Sequence, residues 1–256
     1  MKAIFFSDAH LRNSGDERYS KLINFFDDIK EGRIDSSNEP GNKPIPATLI
    51  DDLFIAGDLF DYWFCPPDTI NPEFKPVIDK LIELKKAGIR IHLCEGNHDF
   101  FMDEYFHDIL GMEVYKEMTD AKLDNLKVLV AHGDTTDPTN TKYMMLRKTL
   151  RSRFFFNFQR MIPPSLRWKL AALASSTSKE LTVEEGDAHV KKMSTFALAK
   201  LKQNYDAIIL GHCHVPGVNT YNIAGKERIF ATLGDWIVHY SYLYYENNKF
   251  SLRYYP

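Results

Sequence analysis

Five short apolar runs, each followed at once by aspartate, asparagine or histidine, constrain this chain more than any other feature of its sequence. The runs are Ala3–Phe6, Leu53–Ala56, Ile89–Cys94, Val128–Ala131 and Ala207–Leu210. Continuous apolar runs of this length are typical of strands that are buried on both faces. Helical periodicity fills some of the gaps, at Tyr19–Ile29 and Pro72–Lys86. Strands that alternate with helices predict an α/β fold.

The C-terminal part of the chain has a different pattern, in which strands follow one another directly. Apolar runs at Ile229–Leu233, Tyr240–Tyr245 and Phe250–Tyr255 predict three strands, and the polar residues Glu246–Lys249 predict a hairpin between the last two. This section should complete one or two sheets. A chain of 256 residues with 44% hydrophobic residues fits one domain, and we expect residues 1–256 to form it.

The side chains that follow the five runs are suited to metal binding. In open α/β sheets, ligands bind outside the carboxyl ends of the strands. The five junctions would therefore bring one set of residues to a single edge: Asp8, His10, Asp58, Asn97, His98, His132, His212 and His214. A single such histidine is more often a core or turn residue, but the complete set predicts a site for Mn, Fe or Zn that needs no thiolate. Cys213 could be a ligand by its spacing, although a side chain turned into the core is the favoured interpretation.

One segment is strongly basic inside an acidic chain. Pro138–Lys179 carries nine Lys or Arg and no acid, whereas the whole chain has a formal charge of −3. We expect residues 140–179 to form an inserted amphipathic helical hairpin, with helices near Lys142–Met161 and Ser165–Ser178 divided at Pro163. Such a hairpin could contact an anionic membrane surface or acyl chains, which is the favoured interpretation, or it could be a lid with solvated bases.

Composition also indicates the compartment. The apolar stretch at the start of the sequence is shorter than a signal peptide needs, so we expect none, and no apolar run approaches the ~20 residues that span a bilayer. Its three cysteines, Cys65, Cys94 and Cys213, are too few for a disulfide framework, so we expect a cytoplasmic protein without disulfides. The net charge indicates no nucleic-acid partner. The polar segment Glu31–Thr48 predicts a surface loop.

The motifs at the junctions resemble the calcineurin-like metallophosphoesterase superfamily. They are Asp8-x-His10, Gly57-Asp58-Leu59-Phe60-Asp61, Gly96-Asn97-His98-Asp99, His132-Gly133-Asp134 and Gly211-His212-Cys213-His214. The resemblance implies a four-layer α/β fold in which two mixed sheets lie between helices, and two divalent metal ions, with Mn expected and Fe or Zn as alternatives.

The same resemblance implies a role for each junction residue. One ion would be held by Asp8, His10, Asp58 and His214, and the other by Asp58, Asn97, His132 and His212. A hydroxide between the ions would attack phosphorus. His98 would act at the leaving-group oxygen, and Asp61 would orient His98 through a hydrogen bond. For Asp99 and Asp134, a turn carboxylate and a supporting role at the metal site are equally expected.

A narrower resemblance is to the UDP-2,3-diacylglucosamine pyrophosphatases of lipid A biosynthesis. It rests on His132–Thr135 followed by the hairpin, on Ser178–Glu180, and on Leu233–Trp236. It implies a nucleotide-linked lipid substrate, peripheral association with the inner membrane, and substrate contacts from Asn97, His98, Asn140, Ser178 and Thr182. Asn140, Thr182 and Glu185 stand where the family pattern has Asp, Asn and Lys. A soluble phosphodiesterase or phosphatase that acts on nucleotides or another small phosphoester is therefore kept as the alternative. The sequence does not indicate the oligomeric state.

Overall fold

The computed structural model describes residues 1–34, 50–63, 69–163, 166, 169 and 186–256. The strands are β1 (Lys2–Phe6), β2 (Asp52–Ala56), β3 (Arg90–Cys94), β4 (Glu113–Tyr115), β5 (Met118–Leu123), β6 (Leu126–Ala131), β7 (Ala207–Leu210), β8 (Pro216–Ile223), β9 (Lys226–Leu233), β10 (Ser241–Glu246) and β11 (Lys249–Tyr254). The α-helices are α1 (Glu17–Lys30), α2 (Lys75–Lys86), α3 (Thr141–Leu150), α4 (Arg153–Arg160) and α5 (Gly186–Leu201). A 3₁₀ turn at Pro72–Phe74 precedes α2, and a π-helical turn spans Asp103–His107.

The strands form two mixed sheets. The first has the order β11-β10-β1-β2-β3-β4, in which β1 to β4 are parallel and the C-terminal hairpin is antiparallel. The second has the order β5-β6-β7-β9-β8, in which β6, β7 and β9 are parallel. The strands that carry the predicted metal-binding motifs are therefore β1, β2 and β3 in one sheet and β6 and β7 in the other.

Four layers result from the way in which each sheet is covered. Helices α1 and α2 pack on the outer face of the first sheet, where Phe25 and Leu81 join its core. The two sheets face each other across a second core that includes Phe5 and Val130. Helix α5 covers the other face of the second sheet through Met193, Ala197 and Leu201. This α/β arrangement of two mixed sheets between helices confirms the predicted fold class.

All the predicted strands are present, but β4, β5 and β8 were not predicted. Strand β4 has three residues, and β5 and β8 lie at sheet edges and are mostly exposed or half-buried. Edge strands need few apolar side chains, so they give little hydrophobic signal. The predicted C-terminal hairpin is confirmed as β10 and β11.

The structure of the basic segment differs from the predicted helical hairpin in one respect. The helix predicted over Lys142–Met161 is two helices, because α3 ends at Leu150 and α4 begins again at Arg153. Ser152 has extended backbone angles and caps α4, since its Oγ accepts a hydrogen bond from the Phe155 N–H at 3.1 Å. The break therefore comes before Pro163. The helix predicted near Ser165–Ser178 falls largely outside the described residues, as does most of the Glu31–Thr48 loop.

The basic residues of this segment are not all solvated. Arg147 pairs with Asp134 and Glu117, and Arg151 pairs with Glu95, so both guanidinium groups point toward the core. Several apolar side chains of the same segment point outward, and Met145, Phe154 and Met161 are 73%, 83% and 82% exposed. Within the described parts of the chain, no helix is long and apolar enough to cross a membrane.

Candidate metal centre

The five junctions of the sequence come together at the carboxyl ends of strands from both sheets, rather than at the edge of a single sheet. Two residues of the first sheet illustrate the local cause: Asp8 and His10 have φ angles of 57° and 45°. A left-handed conformation is uncommon for residues other than glycine, and it means that the backbone just after β1 is no longer extended at these two positions. His212 and His214 repeat this arrangement with φ angles of 67° and 56°. Non-glycine residues in this region cluster at functional sites.

One group of side chains lies around Asp8. The His10 Nε2 and His214 Nε2 atoms are 3.4 Å apart. The Asp8 Oδ1 atom lies 3.4 Å from His214 Nε2 and 3.9 Å from His10 Nε2. Asp8, His10 and His214 each offer an atom within 4.8 Å of the other two, a spacing that could hold a metal ion.

A second group lies around His132. Its Nε2 atom is 2.9 Å from Asn97 Oδ1 and 3.2 Å from His212 Nδ1. Asp58 joins the two groups, because its Oδ2 atom is 3.4 Å from His132 Nε2 and 3.6 Å from His10 Nε2. A single carboxylate between two clusters of nitrogen and oxygen atoms is suited to bridging a metal pair.

The surroundings of His132 favour a positive charge in the site. The His132 Nδ1 atom lies 3.0 Å from the Ala56 carbonyl, which can only accept a hydrogen, so Nδ1 carries the proton. When the ring is neutral, the lone pair of Nε2 then faces Asn97 and Asp58. Acceptor atoms that face one another need a proton or a metal ion between them. Burial lowers the pKa of His132, but the Asp58 carboxylate outweighs burial and raises this pKa to about 10. The site therefore favours positive charge at this position.

A buried atom of Asp8 supports the same conclusion. The Asp8 side chain is fully buried, and its Oδ1 atom has no hydrogen-bond partner among the described residues. Its Oδ2 atom accepts the His212 N–H at 2.9 Å. A buried carboxylate oxygen without a partner is costly unless a cation satisfies it, so the residues present fit divalent metal ions.

His98 lies beside these ligands and is held from two sides. Its main-chain N–H donates to Asp58 Oδ1 at 2.9 Å, and its ring is 4.8 Å from the His10 ring. Its Nδ1 atom lies 2.9 Å from the main-chain carbonyl of Asp61. The hydrogen bond expected between Asp61 and His98 thus comes from the backbone of Asp61, whereas the Asp61 carboxylate pairs with Arg12 and lies 3.4 Å from His10 Nδ1.

Two carboxylates that the sequence left open have supporting roles. Asp99 accepts the N–H groups of Asp58, Gly96 and Phe60 at 2.9, 2.9 and 3.2 Å, so it ties two junctions together. Asp134 accepts hydrogen bonds from Tyr143 Oη and Arg147 Nε at 2.6 and 2.8 Å, so it joins the His132 junction to α3.

The Leu233–Trp236 motif also reaches the site. The Trp236 N–H donates to the Asp8 carbonyl at 3.1 Å. Asp235 Oδ1 accepts three main-chain N–H groups of the following turn, and its Oδ2 atom lies 3.8 Å from His214 Nδ1. The motif thus supports both Asp8 and His214, a role that its sequence alone does not indicate.

Sequence reasoning missed one histidine near the centre. The ring of His189, on α5, lies 5.7 Å from the ring of His212. Helix α5 packs on the second sheet and so brings His189 near a residue that is distant in the sequence. A single histidine in a helical pattern matches no motif, so its position could not be predicted.

The predicted substrate-contact residues and the cysteines lie in different parts of the chain, some of them outside the described residues. Asn140 caps α3, with its Oδ1 atom accepting the Tyr143 N–H at 3.2 Å, so its predicted substrate contact stays a prediction. Ser178 and Thr182 lie outside the described residues, as does Cys65. Cys94 and Cys213 are free and buried, and Cys213 packs in the core between the second sheet and α5.

Gly96 provides a test of how tightly the centre is packed. A Cβ atom at this position would lie 2.0 Å from Asp58 Oδ1. We expect Gly96→Ala to displace Asp58 and to reduce metal binding, measured as metal per chain by elemental analysis. The control is Gly217→Ala, where the nearest atom would be Thr232 Oγ1 at 3.3 Å. Wild-type metal content in Gly96→Ala would contradict this packing.

Comparison with known proteins agrees with the geometry of the centre. The family model described as calcineurin-like phosphoesterase matches residues 1–216. The chain belongs to the calcineurin-like phosphoesterase family. It is therefore a metal-dependent phosphoester hydrolase, and the buried carboxylates and histidines form its candidate metal site.

Several curated members of this phosphoesterase family carry one name, UDP-2,3-diacylglucosamine hydrolase. The protein of Proteus mirabilis is 27% identical over 80% of this chain and 85% of its own length. That of Hamiltonella defensa is 32% identical over 68% of each chain. That of Vibrio atlanticus is 26% identical over 99% of this chain and 97% of its own length.

Proposed function

We propose that this phosphoesterase hydrolyses the diphosphate bond of UDP-2,3-diacylglucosamine to give UMP and a lipid monophosphate. The relatives named above support the substrate, and one of them aligns over nearly the whole chain. The observation that carries the proposal is the helix pair of α3 and α4, which is tied to the catalytic loops on its inner side and exposes apolar side chains on its outer side.

Two metal ions are part of this proposal. Asp8, His10, Asp58 and His214 would hold one ion, and Asp58, Asn97, His132 and His212 the other, with Mn as the expected metal. Ions so bound stabilise the charge on phosphoryl oxygens and lower the pKa of water. Carboxylate, amide and imidazole ligands without thiolate suit Mn, Fe or Zn.

His98 is the residue best placed to move a proton. Its Nδ1–H donates to the Asp61 carbonyl, so its Nε2 atom is the one that can give or take a proton on the substrate side. Protonated His98 would donate to the leaving-group oxygen when the P–O bond of the diphosphate breaks. Water supplies the oxygen that replaces it, and the reaction needs no other reactant.

The helix pair supports a lipid substrate. Met145, Phe154 and Met161 expose more apolar surface than a lid on the core requires, and exposed apolar patches of this kind mark sites of lipid or protein contact. Exposed bases on the same segment, Lys142 and Lys148 among them, would lie near anionic headgroups. These features support the part of our proposal in which the enzyme acts peripherally on the inner membrane, from the cytoplasmic side.

Product analysis tests the proposed reaction. The Mn-loaded protein is incubated with UDP-2,3-diacylglucosamine in mixed micelles, and the products are identified by mass spectrometry. We expect UMP and the diacylglucosamine monophosphate in equal amounts, with no product after metal removal by a chelator. Release of UDP, or turnover of nucleotides but not of the lipid substrate, would favour the soluble phosphodiesterase or phosphatase instead.

The outer face of the helix pair yields a second prediction. We expect the double variant Phe154→Ser and Met161→Ser to lose most of its binding to anionic liposomes in a sedimentation assay, because less apolar surface is buried in the membrane. Hydrolysis of a small aryl phosphodiester should stay at the wild-type rate.

Ile109→Ser is the matched control, because Ile109 is also exposed, at 60%, but lies outside the helix pair. It should bind liposomes like the wild type. Equal liposome binding by the double variant and the wild type would show that this face does not contact lipid.

A further inference from the structure

Arg151, the residue directly after α3, reaches the loop that carries two of the site residues. One of its terminal nitrogens, Nη1, donates to Glu95 Oε2 at 2.7 Å and to the Lys116 carbonyl at 3.1 Å. The other, Nη2, donates to the Gly96 carbonyl at 2.6 Å. The guanidinium carbon also lies 5.1 Å from the centre of the Phe100 ring. Only 13% of this side chain is exposed, so these contacts are shielded from water.

The bond to Gly96 acts on the orientation of Asn97. The carbonyl of Gly96 and the N–H of Asn97 belong to one planar peptide unit, so a hydrogen bond that fixes the carbonyl fixes this plane. The Asn97 side chain is attached to this peptide unit, and its Oδ1 atom lies 2.9 Å from His132 Nε2. A rotation of the Gly96–Asn97 peptide would therefore move this oxygen away from the centre.

The rest of the loop is held from the inner side. Asp99 accepts the Gly96 N–H at 2.9 Å, and Asp58 accepts the His98 N–H at 2.9 Å. Glu95 also closes the loop, because its Oε1 atom accepts the Met102 N–H at 2.9 Å. The helix pair also contacts this loop through Phe156, whose ring lies 4.6 Å from that of Phe101. Arg151 provides a polar contact, because it neutralises the buried Glu95 carboxylate while it binds the Gly96 carbonyl.

We infer that Arg151 is a positioning residue, which holds Asn97 and His98 in the geometry that metal binding and proton transfer require. This inference rests on the proposed ligand role of Asn97. If Arg151 has this role, the helix pair supports the metal centre in addition to its proposed contact with the lipid substrate. The planar guanidinium binds a carboxylate and a carbonyl at once, which a lysine ammonium on its flexible stem would do less well.

The test measures metal binding as well as rate. Arg151→Met is dialysed against limiting Mn²⁺, and metal per chain is determined by elemental analysis. We expect weaker metal binding and a fall in kcat of about 10–100-fold on a small aryl phosphodiester, the range found when groups that support metal ligands are removed. KM should change little. In Arg151→Ala, added guanidinium ion should restore part of the metal content and of kcat.

Two comparisons make the outcome decisive. Arg33→Met removes an arginine that pairs with Asp28 at the end of α1, and it should match the wild type in both measurements. Arg151→Lys should fall between the wild type and Arg151→Met, and it serves as the test variant if Arg151→Met does not fold. The inference would be overturned if both Arg151 variants had the metal content and kcat of the wild type. If Arg151→Met does not fold, the same result in Arg151→Lys alone would overturn it.

Asn97→Ala separates this inference from the ligand assignment. If Asn97→Ala loses metal whereas the Arg151 variants do not, the ligand role stands and the positioning role fails. If Asn97→Ala keeps its full metal content, the ligand assignment itself fails.

Discussion

Replacing Asp58 with alanine is expected to abolish hydrolysis and to remove metal from both halves of the centre. The Asp58 Oδ2 atom lies between His10 Nε2 and His132 Nε2, at 3.6 and 3.4 Å, so each half loses the carboxylate it shares. The loss of activity should exceed the ~100-fold that follows removal of a group that only supports a ligand. Elemental analysis and hydrolysis of an aryl phosphodiester measure the two effects.

Asp79→Asn is the control for this prediction. Asp79 is half-exposed on α2, where it pairs with Lys75, and its loss should change neither metal content nor rate. If Asp58→Ala bound as much metal as the wild type and hydrolysed the phosphodiester normally, Asp58 would not bridge the centre.

Replacing His98 with alanine is expected to have a different signature, in which metal content is retained and the rate falls. The His98 ring is fixed by the Asp61 carbonyl at 2.9 Å, and its centre lies 4.8 Å from that of the His10 ring. Loss of a positioned general acid typically lowers the rate by ~10²–10⁴-fold. The effect should be larger on a substrate with a poor leaving group, which needs protonation, than on an aryl ester.

The corresponding control is His107→Gln. His107 contacts the Met112 carbonyl in the π-helical turn, away from the centre, and its replacement should leave kcat unchanged. If His98→Ala lost metal in proportion to its loss of rate, His98 would belong to the ligand set instead.

The site was predictable from the sequence because its residues follow buried strands directly. Asp58 directly follows β2 and His132 directly follows β6, and this pattern predicted a shared site. The two strands belong to different sheets, so the approach of these residues also depends on how the sheets pack against each other, which the sequence pattern does not show. The left-handed backbone at Asp8 and His10 could not be predicted from the sequence, because residues of these types adopt it only occasionally.

The parts that escaped prediction depend on contacts between distant segments. The basic segment was expected to face an anionic membrane or, as the alternative, solvent, since nothing near Arg147 and Arg151 in the sequence is acidic. Their partners Glu95, Asp134 and Glu117 lie on other parts of the chain. The break before α4 was missed because Ser152 was not recognised as a cap, whereas the two prolines gave a stronger signal.

The measurement that tests the account most directly compares kcat/KM for UDP-2,3-diacylglucosamine with that for the same UDP-sugar without acyl chains, using Mn-loaded protein. The metal centre alone would treat the two diphosphates alike, so any preference reports on contacts outside it. We expect the diacylated substrate to be strongly favoured and the preference to fall in Phe154→Ser/Met161→Ser. Equal kcat/KM for the two substrates would contradict the lipid assignment and would leave a phosphoesterase for soluble substrates.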